Sequence, residues 1–280
     1  MSSYVPLAIS QSLSLRPTSL RCIGIFGKAI NLLTTDDRLL VLQRYGHGLS
    51  PMGMLIRGTD FNAIAQALGR DDTLRLCSSG LHHRRFSIGV TARRISLTMP
   101  PLTLLPHCLD RLLAGQSHAT GLFGPLEQAI KQPLSPWLHD LRQHLFHWLT
   151  GHPCDFTPFI GLGPGLTPSS DDMLIGVMAL LHSDRRSRSR MQQLSLLPPS
   201  CTLRRLTASV SRSYLQHAAA GRFSSTLLSL LQRLAQGRGS HSQIGHFLTL
   251  GHYSGADTLL GLAMANHWLG DFYQGSDAYA

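Results

Sequence analysis

Apolar residues at 138, 141, 145, 148 and 149 of "LHDLRQHLFHWL" recur at the spacing of a one-sided helix. Further along, "MLIGVMALLH" (173–182) is apolar on every side, which marks a buried central helix. "LRRLTASVSRSYLQHAAAG" and "SSTLLSLLQRLAQG" read as helices that end in glycine, and "DTLLGLAMANHWL" completes a helical C-terminal half. The first hundred residues follow a shorter rhythm. "AINLLTTDDRLLVLQR" sets two apolar stretches either side of Thr34-Thr35-Asp36-Asp37, which is hairpin chemistry. "MGMLIRG", "TLRLCSS", "HRRFSIGV" and "ARRISLTM" are short segments rich in apolar and β-branched residues. Among them "DFNAIAQALG" reads as one short helix, capped by Asp60 and stopped by Gly69. The pattern predicts an α+β chain. A mostly antiparallel β-domain over 1–105 is followed, after the proline-rich joint "TMPPLTLLP", by an α-helical bundle over 106–280.

Composition narrows the class. The 280 residues are 43% hydrophobic, yet no apolar run approaches the roughly 18 residues that would span a bilayer. The opening "MSSYVPLAISQSLSLRP" has neither the charged start nor the unbroken apolar core of a signal peptide. Five scattered cysteines form no CxxC pair and no disulfide framework, so a reduced, cytoplasmic setting is expected. The net charge of +10 raises the question of nucleic acid. The arginines are spread out, however, and the one dense run, "DRRSRSR" (184–190), reads as a solvated loop with few aromatics for base stacking. Small anionic substrates or acidic partner subunits account for the charge as well; neither nucleic acid nor a membrane is expected as a partner.

The candidate chemistry sits in "GLGPGLTPSSDD" (161–172). Gly161, Gly163 and Gly165 permit positive φ and let the backbone approach a ligand closely. Thr167 and Pro168 suit the cap and first position of a helix. The free amides of that helix start, with the hydroxyls of Thr167, Ser169 and Ser170, can cradle an oxyanion. No Gly-Lys-Ser/Thr closes a Walker loop, and the dinucleotide GxGxxG pattern is not met. Adjacent Asp171 and Asp172 argue against a bare phosphate. Two unit charges about 4 Å apart repel by roughly 4 kcal/mol at an effective dielectric of about 20. Either the carboxylates turn away from the anion, or a cation or basic side chain lies between them. The plainer reading is a capping box, Ser169-x-x-Asp172; it leaves the three glycines and the second aspartate unexplained.

A second stretch, "LGHYSGADTLLGLAMA" (250–265), repeats the grammar. Ser254, Asp257, Leu259 and Gly261 stand where Ser169, Asp172, Leu174 and Gly176 stand in the first. Two glycine-led helix starts of this kind can face each other across one site, with His252 as proton donor or anion ligand. The expected catalytic set is Asp171, Asp172, His252 and Asp257. Gly163, Gly165, Thr167, Ser169, Ser170, Ser254 and Gly255 are the candidates for holding substrate or phosphate. No metal-ligand set is assigned and the cofactor stays open, a divalent cation at the Asp residues being one alternative. "TGLFGPL" (120–126) offers another Gly-Pro turn before a helix that could line the same cleft, a plain loop being the preferred reading, and "YGHGLSPMG" (45–53) is a flexible glycine loop leaving the hairpin that could close over a ligand. His82-His83 beside Arg84-Arg85 fits a solvated strand face, and neither a Ser-His-Asp set nor HExxH is visible.

At these residues the chain resembles the AllH-type proteins. "AINLLT", "TGLFGPL", "GLGPGLTPSSDD", "VSRSYLQHAAAGRF" and "GHYSGADTLLG" carry the resemblance, which runs from about Arg21 to Gly270. It implies one subunit of a three-part oxamate carbamoyltransferase of anaerobic allantoin breakdown, working with two other subunits and inactive alone. That enzyme interconverts oxalurate plus phosphate with oxamate plus carbamoyl phosphate. A homo-oligomer, or a scaffolding and ligand-binding role within such a complex, is the alternative. The resemblance brings no assignment of catalytic residues. Leu162 stands where a related protein has Lys, so any positive charge at this turn must come from elsewhere; arginines such as Arg222 are candidates for gripping the oxamate carboxylate.

Overall fold

The computed structural model describes residues 2–131 and 133–277. It is an α+β chain that divides into two compact units. One holds the chain up to Thr98 together with Arg222–Leu228; the other holds Met99–Gly221 and the chain from Ser229 onward.

The first unit is built on ten strands: β1 Ser2–Tyr4, β2 Ala8–Ser10, β3 Thr18–Ile25, β4 Ala29–Thr34, β5 Leu39–Arg44, β6 Gly53–Ile56, β7 Thr73–Cys77, β8 Gly80–His82, β9 Phe86–Ile88 and β10 Arg94–Ile95. They form a single mixed sheet in the order β1-β9-β8-β7-β3-β4-β5-β6-β2-β10. The pairings are antiparallel except β1 with β9, β5 with β6 and β10 with β2. β1 and β2 stand eight places apart in this order, about 38 Å in a flat sheet. The chain between Tyr4 and Ala8 reaches no more than about 14 Å. The sheet must therefore curl until its two ends approach. Its interior is lined by Ile9, Leu20, Cys22, Ile30, Leu32, Leu42, Met54, Leu74 and Ile88, with Phe61 and Ile64 of helix α1 (Gly58–Ala67) also buried.

The predicted hairpin is present. Asp37 takes a left-handed conformation at its tip and Thr34 Oγ1 accepts a hydrogen bond from the Arg38 amide. Helix α1 starts before Asp60, which lies in its first turn and caps nothing. The strands β1, β2, β3 and β8 go beyond the expectation. β1 and β2 are too short to show a period. β3 buries Leu20 and Cys22 in alternation and then slips register at Gly24. Arg222–Leu228 joins this unit through main-chain hydrogen bonds: Phe223 N donates to Leu97 O and Ser225 N to Leu49 O.

The second unit is helical: α2 Asp110–Leu113, α3 Leu126–Ala129, α4 Pro136–Leu149, α5 Ser169–Ser183, α6 Arg185–Gln193, α7 Ser200–Leu206, α8 Ser209–Ala219, α10 His241–Leu248 and α11 Ser254–Asp277, with α9 (Ser225–Ala235) contributing from Ser229 on. In α4 the buried face is Leu138, Leu141, Leu145, Trp148 and Leu149, the spacing read from sequence. α5 is buried from Ser169 through Ser183 except at Ile175. Two expectations are corrected. "DRRSRSR" is not a loop but opens α6: Asp184 caps it by accepting from the amides of Arg186 and Ser187, while Ser187 and Met191 turn inward. "LRRLTASVSRSYLQHAAAG" is two helices, α7 and α8, broken at extended Thr207, whose side chain is needed elsewhere.

α5 and α11 form the central pair and meet backbone to backbone. A methyl group at Gly176 would lie 2.2 Å from Thr258 O, and one at Gly261 would lie 2.0 Å from Met173 O. Met173 holds the place in its motif that Thr258 holds in the other, so the two contacts are mirror copies about a local two-fold. Gly261→Ala should therefore destabilise the chain by about 3 kcal/mol or more, because helix backbone cannot yield as a side chain can. Gly245→Ala in α10, where a methyl group meets open space, should stabilise it by about 0.8 kcal/mol through helix propensity alone. Urea unfolding of both variants against the parent checks the pair.

Candidate functional site

The α5–α11 crossing sets two serine-led helix starts side by side. Thr167 Oγ1 lies 3.0 Å from Ser254 Oγ, joining the two motifs directly. Each helix's aspartate is influenced by the opposite helix's first hydroxyl: Ser254, with Thr167, favours the ionised form of Asp172, and Ser169 favours that of Asp257. The capping box that was the plainer alternative for Ser169-x-x-Asp172 is absent from α5. Pro168 precedes its first residue, no side chain caps it, and Ser169 faces across to Asp257 instead. Asp257 Oδ1 also accepts from the Gly121 amide at 3.0 Å, so "TGLFGPL" does line the site. Gly121 fits there because a methyl group would fall 1.8 Å from Ser169 Oγ.

Asp172 and Asp257 are 6% and 1% exposed. Burial pushes Asp172 up to about 7; the two hydroxyls pull it back only in part, and the charges of Asp257 and Asp171 push it further. Burial likewise raises Asp257 to about 6 against the Gly121 amide and the Ser169 hydroxyl. Asp172 Oδ2, Asp257 Oδ2 and Ser169 Oγ are buried without completing a hydrogen bond among the described residues. Ser169 Oγ is near enough to Asp257 to stabilise its charge but is not aligned into a bond. Unsatisfied buried oxygens of this kind are costly and usually answer to something outside the fold.

Asp171 stands apart from this pair. It is fully buried, and both its oxygens are occupied: Oδ1 accepts from Gly161 N at 2.7 Å, and Oδ2 accepts from Ser211 Oγ at 2.6 Å and from Thr207 Oγ1. It thereby ties the glycine turn to the α7–α8 break. Thr207 and Ser211 were not among the residues singled out from sequence, whereas Gly121 lay in the candidate stretch "TGLFGPL". The one signal for Thr207 and Ser211 was two small hydroxyl residues four apart, the spacing of one helix face.

The turn itself is exposed. Gly161, Gly163 and Gly165 have φ of 81, 102 and 98°, so a side chain would be strained at each. Most of the amides expected at the start of α5 are already used, Ser170 N by Leu162 O and those of Asp171 and Asp172 by Pro168 O, while Ser169 N has no acceptor among the described residues. Ser170 Oγ in turn accepts from Leu162 N at 2.8 Å. The amides of Gly163, Gly165, Leu166 and Thr167 have no acceptor among the described residues. An anion cradle would therefore draw on the turn, with Ser169 N the one amide of the first helical turn still open. Leu162 and Leu166 are 40% and 52% exposed on its outer side.

Two of the expected residues fall outside this arrangement. Gly255 gives its amide to Leu250 O and packs against Phe247 O, where a methyl group would lie 2.3 Å away. His252 is exposed, its ring edge-on to Tyr253 at 4.2 Å, and hydrogen-bonds to none of the other site residues. Arg222 lies in the sheet unit, where its backbone bridges to Thr98. All five cysteines are free.

Residues 159–266 match the family model described as oxamate carbamoyltransferase subunit AllH, in agreement with the resemblance of the two motifs. The matched segment is less than half of the chain and holds the whole turn, α5 and the first half of α11, to residue 266. No solved structure matches the chain. Among the described residues, no helix is long and apolar enough to cross a membrane.

The two neighbouring aspartates should respond oppositely to substitution. A carboxyl whose folded pKa lies above its unfolded value near 4 costs nothing below pH 4, where both states are protonated. Stability is then lost as pH rises towards the folded pKa, by about 4 kcal/mol for Asp172. Asp172→Asn should therefore gain on the parent progressively between pH 4 and 8, by up to that amount. Asp171→Ala should lose about 3 kcal/mol or more, because it strands three donors. Thermal unfolding of both variants across this pH range measures the difference.

Proposed function

We propose that this chain is a subunit of an oxamate carbamoyltransferase, active in a cytoplasmic complex with two other subunits, and that the α5–α11 crossing supplies part of its active site. The reaction is the interconversion of oxalurate plus phosphate with oxamate plus carbamoyl phosphate, in allantoin degradation. The observation that carries the reading is the crossed Asp172–Asp257 pair, buried, raised in pKa and left with open oxygens beside a turn of unused amides.

Towards oxalurate, the oxamate amide nitrogen bonds to the carbamoyl carbon. The carbon–oxygen bond to phosphate breaks with its electron pair going to phosphate, and the nitrogen gives up a proton. An amide is a poor nucleophile, so positioning and a base in the transition state matter most. A carboxyl near pH 7 is matched to that proton, and Asp172 is the group so tuned. The amides of Gly163, Gly165, Leu166 and Thr167 are suited to an anionic substrate group, and Ser169 and Ser254 to polarising a carbonyl or orienting the amide. Asp171 acts at one remove, as a positioning residue that holds the turn. The chain's net charge of +10 suits small anionic substrates.

The second reading is a scaffold that orders the complex while the chemistry lies elsewhere, and the burial of both carboxyls favours it. Reconstituting the complex with Asp172→Asn or Asp257→Asn separates the two. The catalytic reading expects kcat to fall at least 100-fold with assembly intact. Because Asp172→Asn should not weaken the fold, such a loss is not an unfolding effect. Full turnover by both variants establishes the scaffold.

A further inference from the structure

Away from this crossing, the far part of α11 meets the turn before α2 and gathers a second set of chemically capable side chains. His107 Nδ1 lies 3.0 Å from Asp110 Oδ2, and His267 Nε2 lies 2.5 Å from Asp110 Oδ1. The three ligand atoms are all within 4.8 Å of one another. The two imidazole rings approach to 4.2 Å between centroids. His107 reaches this position with φ of 58°, a left-handed conformation that costs a residue with a Cβ roughly 1 kcal/mol. The cluster stands on the wall of a cavity of about 520 Å³ that is also lined by Glu127, Lys131, Arg142 and Asp271. Arg142 is paired with Asp271 at 2.9 Å.

We propose that His107, Asp110 and His267 form a binding site for a divalent transition-metal ion of the zinc type. Two imidazoles and one carboxylate are the donors such ions select, and three protein ligands leave a coordination position open. Metal–nitrogen and metal–oxygen distances of about 2.0–2.2 Å need only a small convergence of atoms already this close. The open position faces the cavity, where Lys131 can attract a carboxylate or other anionic ligand to the ion. The site shares no residue with the Asp172–Asp257 pair, so it stands or falls independently of the proposed carbamoyl transfer. A hydrogen-bonded His–Asp–His chain with no affinity for metal is the competing account.

Calorimetric titration of the full chain, stripped with EDTA, with Zn²⁺ and then with Co²⁺ decides between them. The metal site predicts one equivalent bound with micromolar or tighter Kd, and visible Co²⁺ bands of low-symmetry histidine coordination. It also predicts at least a 30-fold weakening in each of H107A, D110N and H267A. His147 and His152 stack at 4.7 Å and, among the described residues, join no cluster of possible metal ligands, so H147A should change Kd by less than twofold. Binding unaltered in H107A and H267A, or lost equally in H147A, overturns the proposal. Should the variants fail to fold, a parent protein whose Co²⁺ spectrum stays that of the hydrated ion overturns it too.

Discussion

The helical unit depends on one steric fact, the backbone contact of α5 and α11 at Gly176 and Gly261. No other residue lets the Met173 and Thr258 carbonyls approach so closely, and everything at the candidate site follows from that approach. With the axes this near, Ser169 faces Asp257, and Asp172 faces Ser254 and Thr167. Each helix start is completed by its counterpart instead of by itself. The local two-fold relation turns two ordinary-looking caps into one composite feature that neither helix could form alone.

Two carboxyls are thereby carried into an environment that resists their charge. Fold stability would be better served by neutral residues at 172 and 257, since each acid is raised by burial and left with an oxygen that completes no bond. Asp171, one residue away, shows what a purely structural aspartate looks like here: three donors and no open oxygen. Buried carboxyls at two related positions, each with an oxygen that completes no hydrogen bond among the described residues, cost the fold stability. The same contrast separates the roles within the motif. The glycines shape the turn, Asp171 holds it, and Asp172 with Asp257 remains available.

Much of this was legible in the sequence because it rested on local spacing. The face of α4, the all-buried α5, the hairpin at Thr34–Asp37 and the echo of Ser169/Asp172 in Ser254/Asp257 are short-range patterns. What escaped was decided by partners distant in the chain. Thr207 breaks a helical pattern to reach Asp171; Gly121 donates to Asp257 across most of the unit; His107 and Asp110 meet His267. "DRRSRSR" looked like a solvated loop because its apolar content is slight, yet the Asp184 cap and two inward residues suffice for a helix. The Ser-x-x-Asp spacing was legible and left capping open beside a facing pair, since spacing cannot tell whether a serine serves its own helix or its neighbour.

The most direct test of the crossed pair is a carboxyl ¹³C NMR titration of the aspartates in the isolated chain, with Asp172→Asn and Asp257→Asn used for assignment. The pair should titrate with midpoints near 7 and near 6, each moving when the other is replaced and both shifting on addition of phosphate or oxamate. Two independent midpoints near 4, indifferent to either ligand, would contradict the account.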